Sequence, residues 1–288
     1  MTSYLDEVGL AELWDLVNTR TDINEVLPKN AGAHNSVYRG KDITSKFTDG
    51  SLFTAIAAGT FDDVFVGDHF TIPCRQVSAT IDSTTDPSNP VVVVTNGASM
   101  TNTKFIIAHL DKDLNKGDTA MNQHHAVVIP AVSLGTAPMN ATNTTAGGYV
   151  GSAMYVQVLP VVKANLIEAF GSSHILKRRA YLSNDMTSGY ASGGGWYDSY
   201  VELMPENEVY GCRMRSNTSN TAELYNTGCD YGQLACFDLN PETVTTRKDF
   251  WLRPVYNYWN FSHVYYSSNS GDHNTSIIVD VRPRHHQN

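Results

Sequence analysis

Few residues of this chain combine type and spacing in a way that suggests chemistry. Asp111-Lys112-Asp113-Leu114-Asn115-Lys116-Gly117 sets oxygen-bearing side chains at alternate positions, as the start of a calcium loop does. The turn glycine is displaced by one, and Asn122 stands where a bidentate glutamate belongs. The expectation is therefore a solvated hairpin without a high-affinity calcium site. His124-His125 could supply imidazole ligands, but neighbours on an extended chain point to opposite faces, so one buried, hydrogen-bonded histidine and one surface histidine are expected. Cys74, Cys212, Cys229 and Cys236 form no C-x-x-C pair, which predicts reduced, partly buried thiols and no zinc site. Gly193-Gly194-Gly195-Trp196 has no following lysine and reads as a turn. With no phosphate loop, H-E-x-x-H or G-x-S-x-G elbow, the reading is a protein that is not an enzyme, with no catalytic residue, no metal and no cofactor.

Contact chemistry is better represented. In residues 256–276, YNYWNFSHVYYSSNSGDHNTS, every residue except Trp259, Phe261, Val264 and Gly271 is Asn, Tyr, Ser, Asp, His or Thr. A core strand needs aliphatic residues on at least one face, and a disordered tail is poor in aromatics. Tyrosine gives rigid contact area at low entropic cost, while Ser and Asn give adaptable hydrogen bonds, which is the composition of a paratope. Tyr256, Tyr258, Trp259, Tyr265 and Tyr266 are the expected anchors. Asn257, Asn260, His263, Asn269, Asp272, His273 and Asn274 are expected to supply hydrogen bonds.

The elements that must hold this segment flank it. Phe250-Trp251-Leu252-Arg253 precedes it and Ile277 to Pro283 follows it, and both read as anchoring strands. Upstream, Val64 to Ile72 alternates like a half-buried strand. Val91 to Val94 reads as a buried strand reached through a polar turn at 82–90, and Phe105 to Leu110 and Ala126 to Ile129 are further strands. A brief helical turn set is predicted over 51–58 and a longer helix over 152–170, interrupted at Pro160 and stopping at Gly171. Residues 171–250 read as long irregular loops. At the start, Leu10, Leu13, Trp14 and Val17 give residues 4–18 one apolar helical stripe, an attachment or oligomerisation element, and 19–34 reads as a linker. The division expected is 1–34 for helix and linker and 35–288 for one α+β domain.

Composition agrees with a globular protein: hydrophobic residues make up 41% and charged residues 17% of the chain, and the net charge of −9 offers no basic stripe for nucleic acid. No apolar run is long enough for a membrane span, so no membrane insertion is expected. The first residues carry no basic region followed by an apolar run, so synthesis in a cytoplasm is expected. Asn-x-Ser/Thr triplets at Asn140, Asn143, Asn217, Asn260 and Asn274 follow from an Asn/Thr-rich composition.

An ordered set of stretches begins with Tyr4-Leu5-Asp6, Gly9-Leu10 and Leu13-Trp14, then Asn35 to Lys41, Ala58 to Asp68 and His124 to Pro130. Met139 to Thr145 with Gly147-Gly148-Tyr149, Phe170-Gly171 with His174-Ile175-Leu176, Trp196 to Ser199, Val201 to Met204, and Val209-Tyr210-Gly211 continue the set. Phe250 to Arg253 and Val281-Arg282-Pro283 end it. In this order the stretches resemble tail-tip and tail-fibre proteins of phages and prophages of Gram-positive bacteria. The resemblance implies a C-type-lectin-like C-terminal region between Trp251-Leu252-Arg253 and Arg282-Pro283. The bias of 256–276 is similar to the variable region of proteins diversified by retroelements, in which adenine randomisation turns Asn codons into Tyr, Ser, Asp, His or Thr codons. The last residues, Arg284-His285-His286-Gln287-Asn288, depart from the apolar ending of that family. The resemblance further implies a receptor-binding protein of the virion that meets a host cell-surface protein or glycan, together with other tail proteins, as a homo-oligomer, a trimer. The competing expectation is a structural tail or capsid component. An enzyme is a third class, because related lectin-like folds include an oxidase that modifies cysteine, but no reactive cysteine arrangement is visible here.

Overall fold

A computed structural model describes residues 23–217, 224–227 and 232–288. The expected helix over 4–18 lies outside the described residues. The fold is α+β, with one large mixed sheet and few helices. In chain order, helical turns α1 (Ile23–Val26) and α2 (Ala31–His34) lead to α3 (Thr44–Thr48) and α4 (Ser51–Ala57). A long hairpin follows, β1 (His69–Asp82) with β2 (Val91–Leu110), then β3 (Ala126–Pro130) and β4 (Gly135–Ala137). A π-helical turn, Met154–Val158, runs into α5 (Leu159–Phe170). Next come β5 (Ile175–Leu176), β6 (Arg178–Thr187), β7 (Tyr190–Ser199), β8 (Val201–Leu203), α6 (Glu206–Tyr210), α7 (Leu224–Thr227), α8 (Ala235–Leu239) and a 3₁₀ turn, Pro241–Val244. The chain ends with β9 (Phe250–Val255), β10 (Asn260–Val264), β11 (Ser270–Asn274), β12 (Val279–Asp280) and β13 (Pro283–Gln287).

The eleven-stranded sheet runs β11-β10-β9-β12-β4-β1-β2-β3-β13-β5, with β8 also paired to β13. Strand alternation sends its side chains into two cores. Phe105 and Ile107 join Leu52, Ile56, Val162, Leu166 and Phe170 on one face. Ile106 and Ala108 join Val209, Ala235, Cys236 and Phe237 on the other. Both faces of the central strands are therefore dry, which explains why Ala126 to Ile129 is a continuous apolar run. Pro160 falls where the π-helical turn passes into α5, and Gly171 (φ 88°) closes the helix.

Strand β13 is polar and paired on both sides. Arg284-His285-His286-Gln287 lies between β3 on one side and β5 and β8 on the other, and is buried throughout. Alternation sorts it. His285 turns toward the aromatic core, edge-on to Phe105 and Phe170. Arg284 and His286 turn into a buried ionic cluster. Arg178 bridges Asp113 (3.0 Å) and Glu202 (2.6 Å), Arg253 meets Glu202 at 2.6 Å, and Arg284 reaches Asp113 (3.2 Å) and Glu208 (3.1 Å). Three guanidinium groups thus balance three carboxylates, and His286 Nε2 donates to Asp113 at 2.6 Å. The facing cations, Arg178 first among them, hold Asp113 well below the usual carboxylate range despite its burial, and they hold Glu202 at about 2.

Several expectations change. The Asp111–Gly117 segment is not a solvated hairpin, because Lys112 and Asp113 are buried and Asp113 serves the ionic cluster. Asp111, at φ 54°, accepts from His124 Nδ1 (2.7 Å) and the His125 N–H (3.0 Å). The two histidines do divide into one buried (His125) and one half-exposed (His124). Val64, Phe65 and Val66 are fully buried but not in a strand; β1 starts only at His69, after left-handed Asp63 and Gly67. Val91 and Val93 are exposed and only Val92 is buried, because this end of the β1–β2 hairpin runs past the core. Residues 171–250 are not a run of loops but include the β6–β7 hairpin. The triple glycine lies inside β7 rather than at a turn. A Cβ on Gly194 would stand 2.2 Å from Tyr225 Cβ, so the glycine lets the α7 tyrosine press onto the strand. Residues 23–34 pack onto the domain: Asn24 bonds to Asp62 and Asp63, and buried His34 stacks on Phe65. Cys74 and Cys236 are buried free thiols whose pKa burial raises, Cys212 is exposed, and Cys229 lies outside the described residues.

Removing one member of a buried ion cluster leaves its partners uncompensated. Glu202→Ala is expected to cost about 3–5 kcal/mol in chemical denaturation; a loss below about 1 kcal/mol would show that the cluster does not hold the strands together. Stability should also fall in mild acid. Burial holds His109 and His285 at about 3, against an ordinary 6.5, and His109 Nδ1 must stay unprotonated to accept the Ala235 N–H. The unfolded chain takes up these protons first, so stability is complete above pH 6.5 and drains away as pH falls toward 3. The melting temperature should drop steadily from pH 7 to pH 4.5, and a flat profile would contradict this.

Candidate functional site

Residues 256–276 form the end of the large sheet. Strands β9, β10 and β11 make an antiparallel meander, with β11 at the edge. Cross-strand pairs fix which side chains share a face. Phe261 stands opposite Val255 and His273, and His263 stands opposite Trp251 and Gly271. On this face Trp251, Val255 and Phe261 enter one core, and the Trp251 indole donates to Ala137 O at 2.8 Å. On the other face Phe250, Leu252 and Val264 enter the second core. The scaffold expected of Trp251, Leu252, Val281 and Pro283 is present, and all four are buried.

The polar segment therefore has a buried middle and two exposed ends. At one end, residues 256–259 connect β9 to β10. Asn257 Oδ1 accepts the N–H groups of Trp259 (2.9 Å) and Asn260 (3.0 Å), which closes the turn and turns Tyr258 and Trp259 outward, 51% and 58% exposed. A second clamp comes from residues 142–145. Thr145 donates to the carbonyls of Asn257 (2.8 Å) and Tyr258 (3.0 Å), and Asn143 Oδ1 accepts from Ser276 Oγ at 2.6 Å. At the other end the β10–β11 turn carries Tyr265, Tyr266 and Asn269. Tyr266 is 65% exposed and Asn269 is exposed, while Tyr265 lies over Gly271, where a Cβ would come within 2.3 Å of its ring.

The candidate residues thus do not make one patch. Tyr258 and Trp259 sit across the length of β10 from Tyr266 and Asn269; Tyr256 is half-buried and Asn274 is exposed. Some expected ligand contacts are internal instead. His263 is fully buried and cannot touch a ligand at the surface. Asn260 Nδ2 donates to Asp272 Oδ2 at 2.6 Å, and Arg215 lies 3.7 Å from Asp272, so Asn260 and Asp272 tie strands together. His273, a quarter exposed, has Nε2 at 3.1 Å from Asp249 Oδ2. Burial, with His273 and Arg215 nearby, lowers His263 to about 4, so its imidazole is neutral.

Exposed groups outside the segment extend the first patch. The Tyr258 ring covers Gly189 at the tip of the β6–β7 hairpin, where a Cβ would meet it at 3.1 Å, and exposed Tyr190 follows. Ile277 and Ile278 are exposed beyond Thr275, whose N–H donates to Trp259 O at 2.9 Å. The sequence signal for Tyr190 was the Ser188-Gly189 turn with an adjoining aromatic. Ile277 and Ile278 were read as strand but lie in the turn before β12. A concavity of about 350 Å³, lined by Met121, Arg178, Arg179 and Asp198 among others, involves none of these residues. No helix among the described residues is long and apolar enough to cross a membrane. Comparison with models of known protein families, with curated proteins and with solved structures gives no match.

The geometry separates buried residues from exposed ones. Trp251→Ala should lose about 3–5 kcal/mol through cavity formation and an orphaned Ala137 carbonyl. Tyr258→Ser with Trp259→Ser should change stability by about 1 kcal/mol or less. Equal losses in paired melting curves would show that these loop aromatics are core residues.

Proposed function

We propose that this chain is a receptor-binding protein of a phage tail, with a C-type-lectin-like domain that presents a diversified aromatic surface to a host cell-surface protein or glycan. One observation carries the reading: Tyr258, Trp259 and Tyr266 are large aromatics held outward by well-bonded turns, between strands whose apolar side chains enter two cores. Exposed aromatics on rigid loops lose little entropy on binding and are the residues that become hot spots. Tyr190, Ile277 and Ile278 widen the area around Tyr258 and Trp259. Asn269 and Asn274 stand exposed beside this meander with amide groups free to adapt to different partners.

Substitution at these positions leaves strand pairing untouched, which is what a diversified surface requires. Tail partners and trimer formation belong to the same reading, and the segment before residue 23 is the natural place for them. A structural tail or capsid part without receptor contact remains the second reading, favoured by the exposed Val91 and Val93 arm of the β1–β2 hairpin.

The test is adsorption of the labelled full chain to a panel of Gram-positive cells. Wild type should bind a subset of strains. Tyr258→Ser with Trp259→Ser should weaken binding by about tenfold or more at unchanged melting temperature, since a hot-spot aromatic contributes roughly 2 kcal/mol. Binding that survives this change and Tyr266→Ser, but is lost on substitution of Val91 and Val93, would transfer the role to the hairpin arm and support the structural reading.

A further inference from the structure

Beneath the β10–β11 turn, three metal-ligating side chains converge from β10, β11 and the residue before β9. Asp249, just before β9, places Oδ2 at 3.1 Å from His273 Nε2 on β11 and 3.7 Å from His263 Nε2 on β10. Four-coordinate zinc holds its nitrogen and oxygen ligands at about 2.0–2.2 Å, which separates neighbouring donors by about 3.3 Å. The observed separations bracket that spacing.

His263 is the unusual member. It is fully buried, yet neither of its ring nitrogens has a hydrogen-bond partner. A buried imidazole with both nitrogens unsatisfied is costly, and a metal ligand is one of the few roles that offsets the cost. Gly271, directly opposite on β11, makes room for it: a Cβ there would come within 2.5 Å of the His263 ring. The carboxylate is also oriented from behind, because Asp249 Oδ1 accepts the Tyr266 N–H at 2.8 Å, as outer hydrogen bonds orient ligands in metal sites. Asp249 and His273 are each about a quarter exposed, so a fourth position faces solvent.

A second cluster, Asp113, His125 and His286, has similar spacing but a different character. Its atoms are used. His125 Nε2 accepts the Asp113 N–H, His286 Nε2 donates to Asp113, and Arg178 and Arg284 bring two positive charges to the same carboxylate. A cation is repelled there. Around Asp249 the nearby guanidinium, Arg215, is turned toward Asp272.

We propose that Asp249, His263 and His273 bind a divalent cation of the zinc class, which ties β9, β10 and β11 together under Tyr265 and Tyr266. The two imidazoles stack at 3.9 Å with 15° between their planes, so their in-plane lone pairs run side by side. Sharing one ion requires the His273 ring, at the surface, to tilt toward His263. The ion would fix the turn that carries Tyr266 and leave one coordination position open.

The test is calorimetric titration of the chelator-stripped full chain with zinc chloride, repeated with cobalt chloride for the visible spectrum. Wild type should bind one equivalent saturably, rise in melting temperature, and give tetrahedral cobalt bands without thiolate charge transfer. His273→Gln lies at the surface and should fold normally but bind at least about tenfold more weakly and lose the melting shift. Asp249→Asn should do the same, and keeps the test decisive if one variant misfolds. Failure of wild type to bind zinc saturably, a cobalt spectrum showing thiolate ligation, or equal binding by both variants would overturn the site.

Discussion

The constraint on which the structure depends is the burial of three arginines and three carboxylates at the junction of β6, β8, β9, β13, α6 and the 111–115 loop. Charges are costly to desolvate and stable only when each meets its partners. No single strand here satisfies that condition. Arg284 requires the 111–115 loop and α6, Arg178 requires both that loop and β8, and Arg253 requires β8. The cluster therefore specifies how distant parts of the chain meet, in a way that interchangeable apolar contacts would not.

Its position explains the rest of the architecture. Because β13 supplies Arg284 and His286, it is paired on both sides, by β3 and by β5 and β8, rather than left at an edge. Arg282, just before it, is held by the carbonyls of Pro130, Thr243 and Val244 and by the Phe237 and Phe250 rings. Arg253 fixes β9 in the same network, and β9 in turn carries β10 and β11. The aromatic turns at the far end of the sheet thus project from strands anchored by charge and core packing, so their own residues are free to serve contact. A phage receptor-binding role, as proposed, would exploit this separation.

Much of the scaffold was legible in the sequence. The apolar runs at 105–110 and 126–129, the helices over 51–58 and 152–170, and the buried Trp251 and Leu252 follow from period and composition alone. The errors share a cause. The 111–117 loop looks solvated because Lys and Asp are solvated unless partnered, and the partners of Asp113 lie up to 173 residues away in the chain. The triple glycine looks like a turn because its purpose, admitting Tyr225, is tertiary. Within residues 256–276, composition does not show the division into buried and exposed positions. His263 and Asp272 look like adaptable surface groups until strand register turns the first into the core and gives the second to Asn260.

The separation of scaffold from display face is tested most directly by saturation mutagenesis of residues 249–287, sorted independently for folded protein and for adsorption to a strain that the wild type binds. Positions 258, 259, 266, 269 and 274 should tolerate substitution in the folding sort and fail in the adsorption sort, whereas 251, 253, 282 and 284 should fail in both. Adsorption that depends on no position within 256–276 beyond those required for folding would contradict the assignment of this segment as the binding face.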